Sequence, residues 1–147
     1  MKIAIADSDE EILACYPVLK QLRPKLSDTT LVSDVRRMQK EGFLLVSLSD
    51  PDVRAVAGYR YMEMFAFGPL LYVDDLVTDS TKRSHGYGKA LLEWLNNEAR
   101  RHGCRFLTLD SGLKRLDAHR FYRREGMQEI ALHFAITTDG GPMWTSD

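Results

Sequence analysis

The chain has 147 residues, of which 44% are hydrophobic and 28% charged. This length suits one domain with its own core, so we expect a single domain spanning residues 1–147. Twenty Lys and Arg against 21 Asp and Glu give a net charge of -1, which argues against binding nucleic acid through bulk positive charge. No apolar run approaches the roughly 18 residues that cross a bilayer, and Met1 precedes no leader pattern. We therefore expect a cytoplasmic protein without nucleic-acid or membrane partners.

The two cysteines, Cys15 and Cys104, lack CxxC spacing, so we expect structural thiols rather than a disulfide or a zinc site. His85, His102 and His133 show no metal-ligand spacing, and neither HExxH nor GxSxG occurs. Metal chemistry and serine-hydrolase chemistry are therefore not expected.

The N-terminal part of the chain predicts one strand and two helices. Lys2–Ala6 is a short apolar strand, and the acidic and hydroxyl residues after it supply the N-cap of a helix with one apolar face. Pro17 should kink this helix and Pro24 should end it. A second helix is predicted over about Asp28–Glu41, ahead of a glycine that suits its C-terminal cap.

The hydrophobic period then changes to that of strands. Phe43–Leu48 and Val53–Met64 are predicted to form an antiparallel hairpin around a turn that contains Asp and Pro. A third strand, Leu70–Thr78, follows a Gly-Pro turn and is interrupted by two adjacent acids.

Helical spacing returns at Tyr87–His102, followed by a buried strand, Cys104–Asp110. A final helix over about Leu116–Arg124 precedes a predicted last strand, Met127–Thr138, and a further short strand near residues 143–144. This order predicts an α/β or α+β fold, in which one parallel crossover is set in a mainly antiparallel sheet.

The segment Arg83–Lys89, with the sequence RSHGYGK, predicts an anion site between a strand and a helix. Its two glycines allow close backbone approach, and N–H groups at a helix start attract phosphate. The spacing fits neither GxxxxGK[ST] nor GxGxxG, because Leu91 stands where the third glycine would. A purely structural turn is the alternative.

Two segments resemble motifs of the GCN5-related N-acetyltransferase (GNAT) family. Arg83–Gly88 resembles its R/Q-x-x-G-x-G/A acetyl-CoA loop, and Val73–Val77 resembles its central strand. Ala118–Met127 is similar to its A-x-x-F/L-Y-x-x-x-G-F segment, with Met127 in place of the usual Phe. The resemblance implies a mixed, mainly antiparallel central sheet of six to seven strands, flanked by about four helices, with splayed central parallel strands.

The resemblance also implies acetyl-CoA as acetyl donor, CoA as product and no metal. Main-chain N–H groups of the glycine loop would bind the pyrophosphate, and the central strand would pair with pantetheine as with an added strand. The end of the next strand and the last helix would line the other wall. The residues it assigns to acetyl-CoA are Leu76, Val77, Arg83, Ser84, His85, Gly86, Tyr87, Gly88, Lys89, Ser111, Ala118, Phe121 and Tyr122.

Attack of an amine on a thioester needs a donor for the oxyanion and an acid for the departing thiolate. The resemblance assigns the acid to Tyr122 and the oxyanion donor to a backbone N–H of the central strand, here Val77. The alternative is that Tyr122 only packs beside Phe121.

A proton must also leave the incoming ammonium. Asp74 and Asp75 are the nearest acids in sequence, and we expect only one to face the acceptor cleft because adjacent strand residues alternate. Similarity to family members with Glu-Asp at this point favours Asp74 as the proton relay. The alternative is that these acids only cap or solvate a bulged strand, with His119 a weaker candidate base.

The resemblance thus implies an acetyl-CoA-dependent N-acetyltransferase working by direct transfer in a ternary complex. The acceptor would be a primary amine, either a small cationic amine or a Lys or N-terminal amine, bound near Tyr16–Ser27 and the strand around Tyr61. A non-catalytic acyl-CoA-binding or regulatory domain and a nucleotide-binding module are the alternatives, and a homodimer is left open.

Overall fold

The computed structural model describes residues 1–144. The chain divides into two compact units, Met1–Leu109 and the residues from Asp110 onward. The first unit holds a sheet with helices on both faces, and residues 110–144 of the second hold one helix and otherwise irregular chain. The expected single domain stays a prediction.

The first unit is built on a five-stranded sheet in the order β1-β2-β3-β4-β5. Neighbouring strands are antiparallel except β4 and β5, which are parallel and joined through a helix, as predicted. This confirms the mixed, mainly antiparallel sheet. The strands are β1 (Lys2–Ile5), β2 (Leu44–Ser49), β3 (Val53–Met64), β4 (Gly68–Thr78) and β5 (Phe106–Leu109).

Four α-helices belong to the first unit and one to the second. The first predicted helix is two helices, because Pro17 stands in the first turn of the second, where its missing N–H breaks no helical bond. No helix within residues 1–144 combines the length and apolar character needed to span a bilayer. The helices are α1 (Asp9–Ala14), α2 (Tyr16–Leu22), α3 (Leu31–Gln39), α4 (Tyr87–Arg101) and α5 (Leu116–Arg124).

Two apolar clusters cover the two faces of the sheet. Leu45 and Val46 are adjacent in β2 but belong to different clusters, since successive strand residues point to opposite faces. One cluster packs α1, α2 and α3 against the sheet, and the other packs α4 through the fully buried Leu91 and Leu95. The first face, called here the α1–α3 face, carries the candidate site.

The predicted last strand, Met127–Thr138, is wrong, and so is the short strand near residues 143–144. An alternating apolar pattern supplies a face, but a strand also needs a neighbouring strand for its hydrogen bonds. The part of the chain that the structure describes therefore has five strands rather than six or seven. Four large apolar residues of this segment are 62% to 86% exposed: Ile130, Leu132, Phe134 and Ile136.

Candidate active site

A β-bulge in β4 sets the position of the two adjacent acids. Gly58 of β3 pairs with Asp75, whereas the next residue, Tyr59, pairs with Val73. Asp74 is therefore the extra residue of the bulge and is not paired with any residue of β3. Such an insertion interrupts the alternation of side chains along the strand.

The side chains of both aspartates consequently lie on the α1–α3 face of the sheet. Asp75 accepts hydrogen bonds from Arg23, which caps the C-terminus of α2. Asp74 accepts hydrogen bonds from Arg60, whose two neighbours in β3 pack on the α4 side. The expectation that only one acid faces this side is wrong, because the bulge shifts the alternation by one residue.

The carboxylate of Asp74 is fully engaged by Arg60. Nε of Arg60 donates to Oδ1 at 3.1 Å and Nη2 donates to Oδ2 at 2.7 Å, a bidentate pair. These hydrogen bonds raise the pKa of Arg60 above its ordinary value. The guanidinium lies over the ring of Phe43, 5.5 Å from its centroid. Phe43 in turn fills the space beside Gly58, where a Cβ would come within 2.6 Å of the ring.

The carboxylate of Asp75 is engaged on one oxygen only. Nε and Nη2 of Arg23 both donate to Oδ1, at 2.8 and 2.5 Å. Within residues 1–144, Oδ2 accepts no hydrogen bond, and the side chain is 23% exposed. Of the two acids, Asp75 is thus the one with an oxygen open to a ligand.

The sheet opens directly after the bulge. β4 and β5 pair from Leu70 with Phe106 to Val73 with Leu109, and the pairing then stops. From Asp74 to Thr78, β4 pairs with β3 alone. This is the predicted splay of the central parallel strands, and it leaves one backbone edge of β4 without a ladder partner within residues 1–109.

The ladder shows which N–H groups point to this open edge. Asp79 donates its N–H to the carbonyl of Arg54 at 2.7 Å, so these two form a hydrogen-bonded pair. Hydrogen-bonded and non-hydrogen-bonded pairs alternate in antiparallel sheets, so Val77 also turns its N–H toward β3. The N–H groups of Leu76 and Thr78 point to the open edge instead. Val77, the expected oxyanion donor, therefore does not fit that role.

The loop between β4 and α4 presents uncapped N–H groups. After a single 3-10 turn, Ser80–Lys82, the backbone is left-handed at Ser84 (φ 68°) and at Gly86 (φ 78°). Gly86 is the N-cap of α4 and offers no side chain to the first N–H groups of this 15-residue helix. The positive end of the helix dipole therefore lies beside the exposed Arg83. This arrangement suits a phosphate.

The start of α4 is tied to the turn between β2 and β3. The hydroxyl of Tyr87 donates to Oδ2 of Asp50 at 2.7 Å, which raises the pKa of Tyr87. Arg54 donates from Nε to the carbonyl of Asp50 at 3.1 Å. The Tyr87 side chain is thus a support of the loop rather than a group aimed at an anion.

The second unit carries the remaining predicted site residues. Tyr122 lies on α5, half-buried, with its ring edge-on to Phe121 at a centroid distance of 5.3 Å. Nε2–H of His119 donates to the carbonyl of Gly112 at 2.8 Å, so this nitrogen is not available as a base. Ser111 and Ala118 are half-buried.

Three polar residues of the α1–α3 face, Gln21, Arg23 and Arg60, were not singled out from the sequence. Gln21 and Arg23 do lie within Tyr16–Ser27, the segment predicted to bind the acceptor. Arg60 could have been found from the predicted hairpin, because a register that opposes Gly58 to the acids places it beside them. Gln21 and Arg23 come from a helix more than 50 residues away in sequence, and no local spacing connects them to β4.

Comparison with known proteins identifies the class. The chain matches the model of the acetyltransferase (GNAT) family over residues 9–127. It is 39% identical over 117 residues to the uncharacterized N-acetyltransferase YhdJ of Bacillus subtilis (strain 168), a match that covers 78% of this chain and 82% of that one. The chain belongs to the GNAT acetyltransferase family. It is an enzyme of the N-acetyltransferase class.

Two further similarities are to acetyltransferases with named acceptors. Over 65 residues, 44% of this chain and 41% of the other, the sequence is 40% identical to the aminoalkylphosphonate N-acetyltransferase of Salmonella typhimurium (strain LT2). The fold is similar to that of the aminoglycoside N-acetyltransferase AAC(6')-Iy in complex with CoA, with a TM-score of 0.78 and 16% identity, covering 93% of this chain and 95% of that one.

Proposed function

We propose that this enzyme transfers the acetyl group of acetyl-CoA to a small primary amine, by direct attack within a ternary complex. The observation that carries the proposal is the succession of an open β4 edge and an uncapped α4 start within one strand–loop–helix unit. An extended pantetheine can add to the edge, while the N–H groups of the helix start bind the pyrophosphate.

Different segments of the chain then bind different parts of acetyl-CoA. The loop Arg83–Lys89 holds the pyrophosphate through main-chain N–H groups, most closely at Gly86 and Gly88. The edge N–H groups of Leu76 and Thr78 meet pantetheine and the thioester carbonyl. The family resemblance adds further contacts at Ser111, Ala118, Phe121 and Tyr122.

The reaction needs one proton removed and one supplied. The amine nitrogen attacks the thioester carbon, and the electron pair of the carbonyl moves to oxygen, which a β4 N–H stabilises. Collapse of this intermediate breaks the C–S bond, and the phenol of Tyr122 protonates the departing sulfur. The ammonium proton passes to the open oxygen of Asp75, directly or through one water. Asp74, with both oxygens bound by Arg60, takes no proton.

The charges of the site bear on the acceptor. Asp74 and Asp75 alone favour a cationic amine, but Arg60 and Arg23 balance them, so the four side chains carry no net charge. A zwitterionic amine fits this balance better than a polycation does. The relative that acts on aminoalkylphosphonates, as its name states, is consistent with such an acceptor. We place small zwitterionic amines first and peptide amines second.

The test is a panel of amines with acetyl-CoA, in which CoA release and the mass of the acetylated product are measured. The panel contains 2-aminoethylphosphonate, ethanolamine, spermidine and a lysine-containing peptide. Turnover of 2-aminoethylphosphonate above spermidine supports the proposed acceptor class. Acetyl-CoA binding without acetylation of any member supports the non-catalytic acyl-CoA-binding alternative.

A further inference from the structure

Helix α2 contacts the end of β4 through a second side chain besides Arg23. Oε1 of Gln21 accepts a hydrogen bond from the N–H of Ser80 at 2.8 Å. Nε2 of the same amide donates to Oδ1 of Asp79 at 3.3 Å. One side chain thus satisfies a donor and an acceptor at the point where β4 ends and the loop to α4 begins.

Asp79 is the centre of that turn. Its Oδ1 also accepts from N–H and Oγ1 of Thr81, at 3.1 and 3.0 Å, and its Oδ2 lies 3.6 Å from Nη1 of Arg54. The pKa of Asp79 is lowered mainly by the hydrogen bond from the Thr81 N–H, and the hydrogen bond from Gln21 lowers it further. Arg54 and Thr81 belong to the strands and the turn themselves, whereas Gln21 reaches the turn from a helix.

The residues after this turn are exposed and partly in left-handed backbone conformations. Arg83, Ser84, His85 and Gly86 are exposed, and Ser84 has a positive φ although it is not glycine. Ordering backbone costs conformational entropy, so a loop that is fixed before the ligand arrives binds it more tightly. The conformation of this loop depends on the turn from which it leaves.

We propose that Gln21 is a positioning residue for acetyl-CoA. It fixes the turn of Asp79 and Ser80, from which the pyrophosphate loop leaves β4. Through Arg23, two residues further on, the same end of α2 also holds Asp75, so that the acceptor side and the cofactor loop share one support. This inference rests on the proposed function, because it takes the loop to be the pyrophosphate site.

The amide of Gln21 suits this role for a specific reason. A carboxylate in its place would still accept from the Ser80 N–H, but its second oxygen would face the carboxylate of Asp79. A thioether of similar length would make neither bond. Gln21→Glu therefore removes only the hydrogen bond to Asp79, whereas Gln21→Met removes both hydrogen bonds. Because the Gln21 side chain is exposed, we expect both variants to fold.

The experiment measures acetyl-CoA affinity by calorimetry for the wild type, Gln21→Met and Gln21→Glu. Gln39→Met is the matched control, because Gln39 is a helix-surface amide that bonds only Arg36 among residues 1–144. We expect Gln21→Met to weaken acetyl-CoA binding about fivefold, which is about 1 kcal/mol, with Gln21→Glu also weakened and Gln39→Met unchanged. In turnover, KM for acetyl-CoA should rise by the same factor while kcat stays the same.

The melting temperature of the free protein separates positioning from a merely structural role. A structural role would lower that temperature and leave KM unchanged. Acetyl-CoA affinity of Gln21→Met within twofold of the wild type would overturn the inference. Wild-type protein that binds no acetyl-CoA would overturn the proposed function and this inference with it. Binding without turnover would count against the proposed reaction alone, since the affinity series still decides the role of Gln21.

Discussion

Arg60 and Asp74 form a bidentate ion pair across the β3–β4 hairpin, with the guanidinium stacked over Phe43 and both carboxylate oxygens bound. The adjacent Asp75 is bound by Arg23 on one oxygen only. The two neighbouring acids therefore differ in how many of their carboxylate oxygens are bound. The sequence favours Asp74 as the proton relay, whereas we propose Asp75 because one of its oxygens accepts no hydrogen bond within residues 1–144.

Asp75→Asn is expected to lower kcat/KM for the amine by roughly 10²-fold, because the open carboxylate oxygen is the proposed proton acceptor. Asp74→Asn is the matched control and should change turnover less. It should instead lower the free energy of unfolding by roughly 1–3 kcal/mol, because Arg60 then loses the negative charge and one of the two acceptor oxygens of its partner. Steady-state kinetics and denaturant unfolding of both variants measure these effects. A greater loss of turnover in folded Asp74→Asn than in Asp75→Asn would restore Asp74 as the relay.

Tyr122→Phe is expected to leave acetyl-CoA affinity nearly intact and to lower turnover by roughly 10²-fold, because only the phenolic hydroxyl, the proposed acid, is removed. Circular dichroism checks that the variant is folded. The rate should be measured under conditions where the chemical step is limiting. Wild-type turnover in Tyr122→Phe would remove this residue from the mechanism.

Gly88→Val is expected to weaken acetyl-CoA binding at least about tenfold, or 1.4 kcal/mol, because a branched side chain would stand between the helix start and the pyrophosphate. Calorimetry gives the affinity, and circular dichroism confirms that the variant is folded. Asn96→Val, at an exposed position within α4, controls for the helix propensity of valine. Equal acetyl-CoA affinity in folded Gly88→Val and the wild type would place the pyrophosphate elsewhere.

The pH dependence of stability is expected to include a contribution from the start of α1. Glu11 accepts hydrogen bonds from the N–H groups of Ser8 and Asp7, which lower its pKa below the ordinary value of 4.5. A carboxylate with a lowered pKa stabilises the folded state above its unfolded pKa and loses that effect as the pH falls through its folded pKa. The melting temperature of Glu11→Gln should therefore lie below that of the wild type near pH 7, and the gap should close below about pH 4. A gap that does not change with pH would contradict this assignment.

Much of the fold follows from local sequence signals. The predicted bounds of β3 and α5, Val53–Met64 and Leu116–Arg124, agree with the structure, because turn residues flank β3 and Gly126, with φ 93°, follows α5. The parallel crossover through α4 was predicted from element order alone. The strand Met127–Thr138 failed because pairing requires a partner strand, and apolar alternation does not specify one.

The candidate site was predictable only in part. The glycine loop is a local motif, and its uncapped N–H groups follow from Gly86 at the N-cap. The bulge at Asp74 is a property of the register between two strands, so it could not be assigned from one strand's sequence. The ladder direction that separates Leu76 from Val77 depends on the same register.

The most direct test of the account is the acetylation of 2-aminoethylphosphonate by the wild-type enzyme, followed through the mass of the product with Asp75→Asn alongside. The account predicts an N-acetylated product formed in step with CoA release, with the rate lowered roughly 10²-fold in Asp75→Asn. The fraction of neutral amine rises over the range from about pH 6 to 9. If the wild type binds acetyl-CoA but acetylates no member of the amine panel at any pH in this range, the proposed reaction is contradicted.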